Sequence, residues 1–143
     1  MSIDGIPVGG LKSVGQIVAT NTLAFHAGQN GLAIAVALLS THMAGAPVVD
    51  RKGKYIGFIN EFDVMKALEA GKDVGDLTAE DLMRKDHIVV HASTTLAKAA
   101  EMMEEHRVYN LPVAKDGKVV YSVGRHDLLR AWIGLGLGMG LEP

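Results

Sequence analysis

The sequence predicts an α+β protein built as two β-α-β-β-α repeats packed as a pseudo-two-fold pair. The first observation is a duplication: AGAPVVDRKGKYIGFINEFDVMKAL (44–68) returns as NLPVAKDGKVVYSVGRHDLLRAW (110–132), which sets Pro47 against Pro112, Gly53-Lys54 against Gly117-Lys118 and Asp63 against Asp127. A supersecondary unit written twice implies that each copy buries a face that one copy alone would leave wet. The second observation is length: 143 residues make one domain's worth of chain, so each half has about 60 residues and is too small to be stable alone. The third is the alternation of short β-branched runs with helical periodicity, in the same order in both halves.

The elements follow in order. Residues 1–10 hold Pro and Gly without periodicity and read as a flexible arm. A short strand is expected at 23–25, then a helix over QNGLAIAVALLSTHMAG, entered through Gln-Asn and closed by Gly45 as its C-cap. APVVD and KYIGFI read as strands around the turn DRKGK, and NEFDVMKALEAG as a helix starting on Asn60 and ending before Gly71. The first repeat thus spans 11–71 and a polar connector spans 72–77. The second repeat, 78–133, places a strand at 87–90 and a helix over STTLAKAAEMMEEHRV, with Leu96, Ala100 and Met103 on one face and Lys98, Glu101 and Glu105 on the other. LPVAK, KVVYSV and RHDLLRAW complete it. The tail 134–143 alternates Gly with apolar residues; its G-x-G spacing lacks a strand-turn-helix context, so a flexible or partner-docked segment is expected rather than a phosphate loop.

Composition excludes several classes. A net charge of -2 provides no basic field for nucleic acid. The absence of cysteine removes disulfides and thiolate zinc sites. No charged-then-apolar leader precedes the first repeat and the longest apolar run stops at Leu39, so a soluble protein is expected, cytoplasmic by default and without a membrane span. His26, His42, His87, His91, His106 and His126 show no metal-ligand spacing, and no nucleophile, base and orienter share a motif. No metal, no catalytic cofactor and no catalytic residue are expected; the chain reads as a non-enzyme.

The two copies differ in one respect. Residues 13–49 contain no Asp, Glu, Lys or Arg, so the first long helix is apolar nearly all round while its counterpart is amphipathic. A helix of that kind must be covered on every side. A homodimer through this charge-free helix is expected, the alternative being deeper burial within one chain.

What repeats at a site-like position is the tetrad N-x-x-D, Asn60 to Asp63, mirrored as G-x-x-D, Gly124 to Asp127, each following a strand and opening a helix. An acid three residues after an N-cap serves capping and complements the helix dipole. Free amides at a helix N-terminus also suit a phosphate, and a carboxylate in the same turn can accept both hydroxyls of a ribose. Together those demands describe a nucleotide.

At these residues the chain resembles a tandem pair of cystathionine-β-synthase (CBS) domains, a Bateman module. EDLMRKDHIVVHASTTLAKAAEMMEEHRVYNLPVAKDGKVV follows the family's running pattern, and GAPVVDRKGKYIGFINEFDVMKAL its second half. The resemblance implies a regulatory, non-catalytic protein that binds AMP, ADP, ATP or S-adenosylmethionine in clefts where the repeats meet, assembles as a flat homodimer, and signals to an effector protein or through oligomeric state. It casts Asp63 and Asp127 as the acids gripping the ribose. Asn60 and Gly124 stand where the family carries Ser or Thr; Asn60 keeps a side-chain donor and Gly124 only backbone. Met43, Ala44 and Gly45 in one copy, and Val108, Tyr109 and Asn110 in the other, map to the base pocket, where Tyr109 either stacks on a purine or fills the space itself. Leu23 and Ile88 map to backbone contacts with the base edge. His42, Arg107 and Arg125 are the phosphate candidates, Arg being favoured for its bidentate fork, with solvated or helix-terminal charge as the alternative. Gly124, Tyr109 and the charge-free helix also support a second reading, a ligand-free dimerisation and docking module whose nucleotide site is vestigial.

Overall fold

The computed structural model describes residues 12–17, 21–86 and 88–134. The arm expected at 1–10, His87, and the glycine-rich tail beyond Gly134 lie outside the described residues. Among the described residues two compact units are present, one formed by 23–86 and 88 with 116–119, the other by 12–17, 21–22, 89–115 and 120–134.

In the first unit, β1 (Phe25–His26) runs parallel to β2 (Gly45–Val49), and β2 pairs antiparallel with β3 (Tyr55–Asn60), giving a three-stranded sheet with Gly45 opposite Asn60 and Pro47 opposite Phe58. Helices α1 (Gly31–Thr41) and α2 (Glu61–Glu69) and the short α3 (Ala79–Leu82) complete it, over a core of Phe25, Ile34, Leu38, Val48, Ile59 and Val64. The hairpin turn closes because Gly53 adopts a left-handed φ of 81° while Asp50 Oδ1 accepts from the amides of Lys52 and Lys54 at 2.8 and 2.9 Å.

The second unit repeats the plan. β4 (Val90–His91) runs parallel to β5 (Asn110–Lys115), β6 (Lys118–Gly124) lies beside β5, and α4 (Leu96–His106) and α5 (Arg125–Ile133) supply the helices. The N-terminal turn Val14–Gln16 belongs to this unit: Val14 and Gly15 amides donate to the Thr94 and Ala92 carbonyls at 2.8 Å each. Leu96 and Met103 face inward from α4 as expected, but the buried alanine between them is Ala99 rather than Ala100, which is only partly covered; Lys98, Glu101 and Glu105 stay in solvent.

Two further expectations are corrected. Gly45 is no helix cap; it is the first residue of β2, and α1 ends on His42, a non-glycine residue in the left-handed region at φ 57°. The Asn30 side chain opens that helix, accepting from the Leu32 and Ala33 amides. The strands expected at 23–25 and 87–90 each begin later, at Phe25 and Val90, the first residues to reach a parallel partner, Val48 and Val113. Of the two readings of α1, deeper burial within one chain is the one the structure does not support: Leu38 is a core residue at 2% exposure, whereas Leu32, Val36 and Leu39 stand 55%, 55% and 69% exposed. No helix among the described residues is long and apolar enough to cross a membrane.

Candidate functional site

The same corner is built twice, where a strand hands over to a helix. In the first repeat the Asn60 amide donates to Asp63 Oδ2 at 2.7 Å and the Asp63 amide returns a bond to Asn60 Oδ1 at 3.0 Å. In the second, the Gly124 amide donates to Asp127 Oδ2 at the same 2.7 Å, with no reciprocal bond because glycine has no side chain to give. The backbone closes both corners alike: Glu61 N–H donates to the Ala44 carbonyl and Arg125 N–H to the Tyr109 carbonyl, each at 2.9 Å. The capping function that the spacing allowed is therefore real, and it occupies one oxygen of each carboxylate. A carboxylate has lone pairs for further donors, so capping and the grip on a diol are compatible demands on one side chain.

The electrostatics of the two acids differ. Burial pushes the half-buried Asp63 carboxyl above its ordinary value, while the Asn60 amide and the charges of Arg84 and Lys66 pull it back and Asp86 adds to the rise. Asp127 instead has Arg130 Nη1 at 3.7 Å from its free oxygen. A raised native value favours the folded state below the unfolded carboxylate range, and that contribution is lost as pH climbs through the native value. Asp63→Asn keeps an acceptor for the Asn60 amide and carries no charge. The variant is expected to melt at or above the parent's temperature at neutral pH, with its advantage shrinking toward about pH 4. A variant less stable at neutral pH than the parent, and recovering in acid, would show that the cap rather than the burial cost governs this group.

The other candidates fall into three places. Met43, Ala44 and Gly45, with Val108, Tyr109 and Asn110, form the strand entries that carry the corner carbonyls; Val108 and Asn110 are buried at 1%, and Tyr109 is 47% exposed. The Arg125 guanidinium lies 5.0 Å from the Tyr109 ring centre, so the two largest candidates of the second repeat are stacked on each other. His42 and Arg107 are left-handed C-caps at φ 57° and 55°, where a cation complements the negative end of a helix. Leu23 packs against the first core, and the Ile88 carbonyl accepts from the buried Tyr55 hydroxyl at 2.8 Å.

Two hollows involve candidate residues. Asp63 lines a cavity of about 410 Å³ with Lys66, Lys72 and Asp81. Sequence reading missed those lysines, although Lys66 lies one helical turn past Asp63 on the same face, which is a usable signal. Tyr109 and Arg125 stand at the rim of a groove of about 540 Å³ between α4 and α5, floored by Ala97, Ala100 and Leu128 and flanked by Trp132. Asp127 does not line it. This groove is largely apolar and adjoins the second corner through Tyr109 and Arg125, whose backbones close that corner. Among the described residues no group of His, Cys, Asp or Glu is arranged to hold a metal ion.

A family model described as CBS domain matches residues 14–70 and again 79–134. Hypoxic response protein 1 of Mycobacterium tuberculosis is 31% identical over 101 residues, covering 69% of this chain and 71% of that protein. Arabinose 5-phosphate isomerase KdsD of Pseudomonas aeruginosa is 33% identical over 87 residues, 60% of this chain, but the chain spans only 27% of that enzyme's length. Among solved structures, the CBS domain pair of protein MJ0100 in complex with 5-methylthioadenosine and S-adenosyl-L-methionine superposes with a TM-score of 0.72 at 27% identity, covering 82% of this chain and 93% of that one.

Proposed function

The chain belongs to the CBS-domain family, and we propose that it acts as a regulatory pair of such domains, binding an adenosine-containing ligand at its duplicated strand-to-helix corners. S-adenosylmethionine, AMP, ADP and ATP are the candidate ligands. The observation that carries this reading is the recurrence of one arrangement, an acid fixed by a 2.7 Å amide bond in the first turn of a helix, at Asp63 and again at Asp127. Held in that way, each carboxylate is preorganised to accept the two hydroxyls of a ribose, and the helix amides favour an attached anion. Arg125, beside the second corner, supplies the nearest guanidinium for a phosphate or carboxylate tail, while Tyr109 offers a ring face to a base. The bound complex of MJ0100 supports the ligand class.

CBS pairs are regulatory modules rather than catalysts, so the output is a change in shape or rigidity passed to an effector protein or to oligomeric state. The ligand acts only through its different affinity for two states. A homodimer through the exposed face of α1 fits the uncovered Leu32, Val36 and Leu39.

Thermal unfolding with S-adenosylmethionine or AMP tests the reading directly. At about 100 times the dissociation constant a ligand adds roughly 2.7 kcal/mol, or about 5 to 10 °C in a chain of this size. No shift across the panel would favour the second reading, a docking module with a vestigial site, for which the bare Gly124 and the exposed apolar helix faces speak.

A further inference from the structure

The hollow beside Asp63 has the size and the chemistry of a ligand subsite. Its volume of about 410 Å³ falls within the roughly 300 to 1,000 Å³ of small-molecule pockets. All of its lining comes from the first unit: from α2, from α3 and from the segment that joins them. Asp63, Lys66, Ala67 and Ala70 follow one another at helical spacing, so one stripe of α2 forms a wall, and the two alanines place no more than a methyl group each in the space. Past the end of that helix Gly71 takes a left-handed φ of 80° and the Lys72 amide donates to the Ala67 carbonyl at 3.0 Å. The chain is turned back, and Lys72 joins the same hollow.

Hydrogen bonding inside the fold leaves this lining rich in donors. Asp63 Oδ2 accepts from the Asn60 amide at 2.7 Å, and Asp81 Oδ2 accepts from the Thr78 amide and hydroxyl at 2.8 and 3.1 Å. Each acid therefore keeps Oδ1 for other donors. The charge of Lys66 is felt at Asp63 and that of Lys72 at Asp81, yet neither ammonium forms an ion pair or a hydrogen bond among the described residues. An ammonium carries several N–H donors and no acceptor, so the donors around the hollow outnumber the acceptor oxygens left open. Water can solvate either lysine singly. It does not account for two unpaired ammoniums meeting at a hollow of ligand size that also holds the carboxylate proposed to bind a sugar. The group that satisfies such a lining is an anion with several acceptor oxygens.

We infer that the hollow receives the anionic 5′ tail of an adenosine ligand whose ribose lies on Asp63, with Lys66 and Lys72 binding the carboxylate of S-adenosylmethionine or the phosphate of AMP. Lys66 lies about 4.5 Å beyond Asp63 along the helix axis, a step comparable with that from a ribose diol to its 5′ substituent. Asp81 treats the two tails differently: its open oxygen suits the ammonium of an amino-acid end and repels a phosphate. The inference rests on the adenosine-binding reading and deepens it, because neither lysine is among the residues that the family resemblance singles out.

Calorimetric titration of the full chain with AMP, with S-adenosylmethionine and with 5-methylthioadenosine, a nucleoside without a charged tail, tests it. The proteins are the parent, the double variant Lys66→Met with Lys72→Met, and Asp81→Asn. Both lysines are exposed and methionine keeps most of the side-chain length, so the double variant should fold normally. A binding step for AMP and for S-adenosylmethionine should become about tenfold or more weaker in it, while affinity for 5-methylthioadenosine stays within about threefold. Added salt should weaken the same step in the parent and spare 5-methylthioadenosine, a readout that a structural role for the lysines would not move. Asp81→Asn, which keeps an acceptor for Thr78, tells the tails apart: weaker S-adenosylmethionine with unchanged AMP assigns the hollow to the amino-acid end, and tighter AMP with unchanged S-adenosylmethionine assigns it to phosphate. Parent-like AMP and S-adenosylmethionine isotherms in the double variant, or a loss that 5-methylthioadenosine shares equally, overturns the inference while leaving adenosine binding intact; failure of the parent to bind any of the three overturns both.

Discussion

Asp127→Ala is expected to weaken binding of S-adenosylmethionine or AMP by about tenfold to a hundredfold, since charge-assisted hydrogen bonds contribute about 1.5 to 3 kcal/mol. Only part of that change should appear in stability. The Asp127 carboxylate spends Oδ2 on the Gly124 amide at 2.7 Å and keeps Oδ1 open apart from Arg130 at 3.7 Å, so the alanine loses a cap worth about 1 kcal/mol as well as the ligand contact. Asp127→Asn separates the two effects. It retains an acceptor for Gly124 and offers one uncharged oxygen or an amide to the diol, so melting should stay near the parent while affinity still falls. Calorimetry on both variants is the check. Parent-like affinity in Asp127→Ala would remove the carboxylate from the binding site and leave it a cap alone.

Charging the first long helix should split two neighbouring leucines into opposite outcomes. Leu39 is 69% exposed and lies near the C-terminus of α1, where a cation suits the helix dipole, so Leu39→Lys is expected to fold normally. If that face is where two copies meet, sedimentation should show the variant as monomer while the parent sediments as dimer. Leu38, at 2% exposure, packs in the core with Phe25, Ile34 and Val64. Leu38→Lys buries an ammonium without a partner and is expected to cost more than about 4 kcal/mol, enough to unfold the chain. A parent that already sediments as a monomer, or a Leu39→Lys protein that remains a dimer, would place the interface elsewhere, and the apolar groove under Trp132 and Leu129 is then the next surface to charge.

These two outcomes also mark how far the residues could be read before the fold was known. The tetrads ending in Asp63 and Asp127 were visible as site candidates because capping and ligand contact both depend on a three-residue spacing within one turn. The hairpin turns at Gly53 and Gly117 were visible for the same reason, a left-handed glycine between two apolar runs. The α1 helix was legible as a helix, yet its uniform apolarity hid which face is inward: with Leu32, Val36, Leu38 and Leu39 alike in chemistry, periodicity carries no orientation. Its end was misplaced because His42 takes a backbone conformation that sequence assigns by default to glycine. Lys66 and Lys72 were passed over because the cavity they share with Asp63 is assembled partly from α3, a helix too short to announce itself.

From the residues alone came the duplication, the order of strands and helices, the position of both acids and the family, all of which rest on local spacing and on its repetition. Packing was needed to decide the rest: that Leu38 is core while Leu39 is surface, that Phe58 closes the space over Gly45, and that Ser122 is buried with no partner for its hydroxyl among the described residues. The physical reason is common to all three. Each depends on which side chains from distant parts of the chain arrive at one point, and pair spacing along a sequence holds no information about neighbours brought together across a sheet.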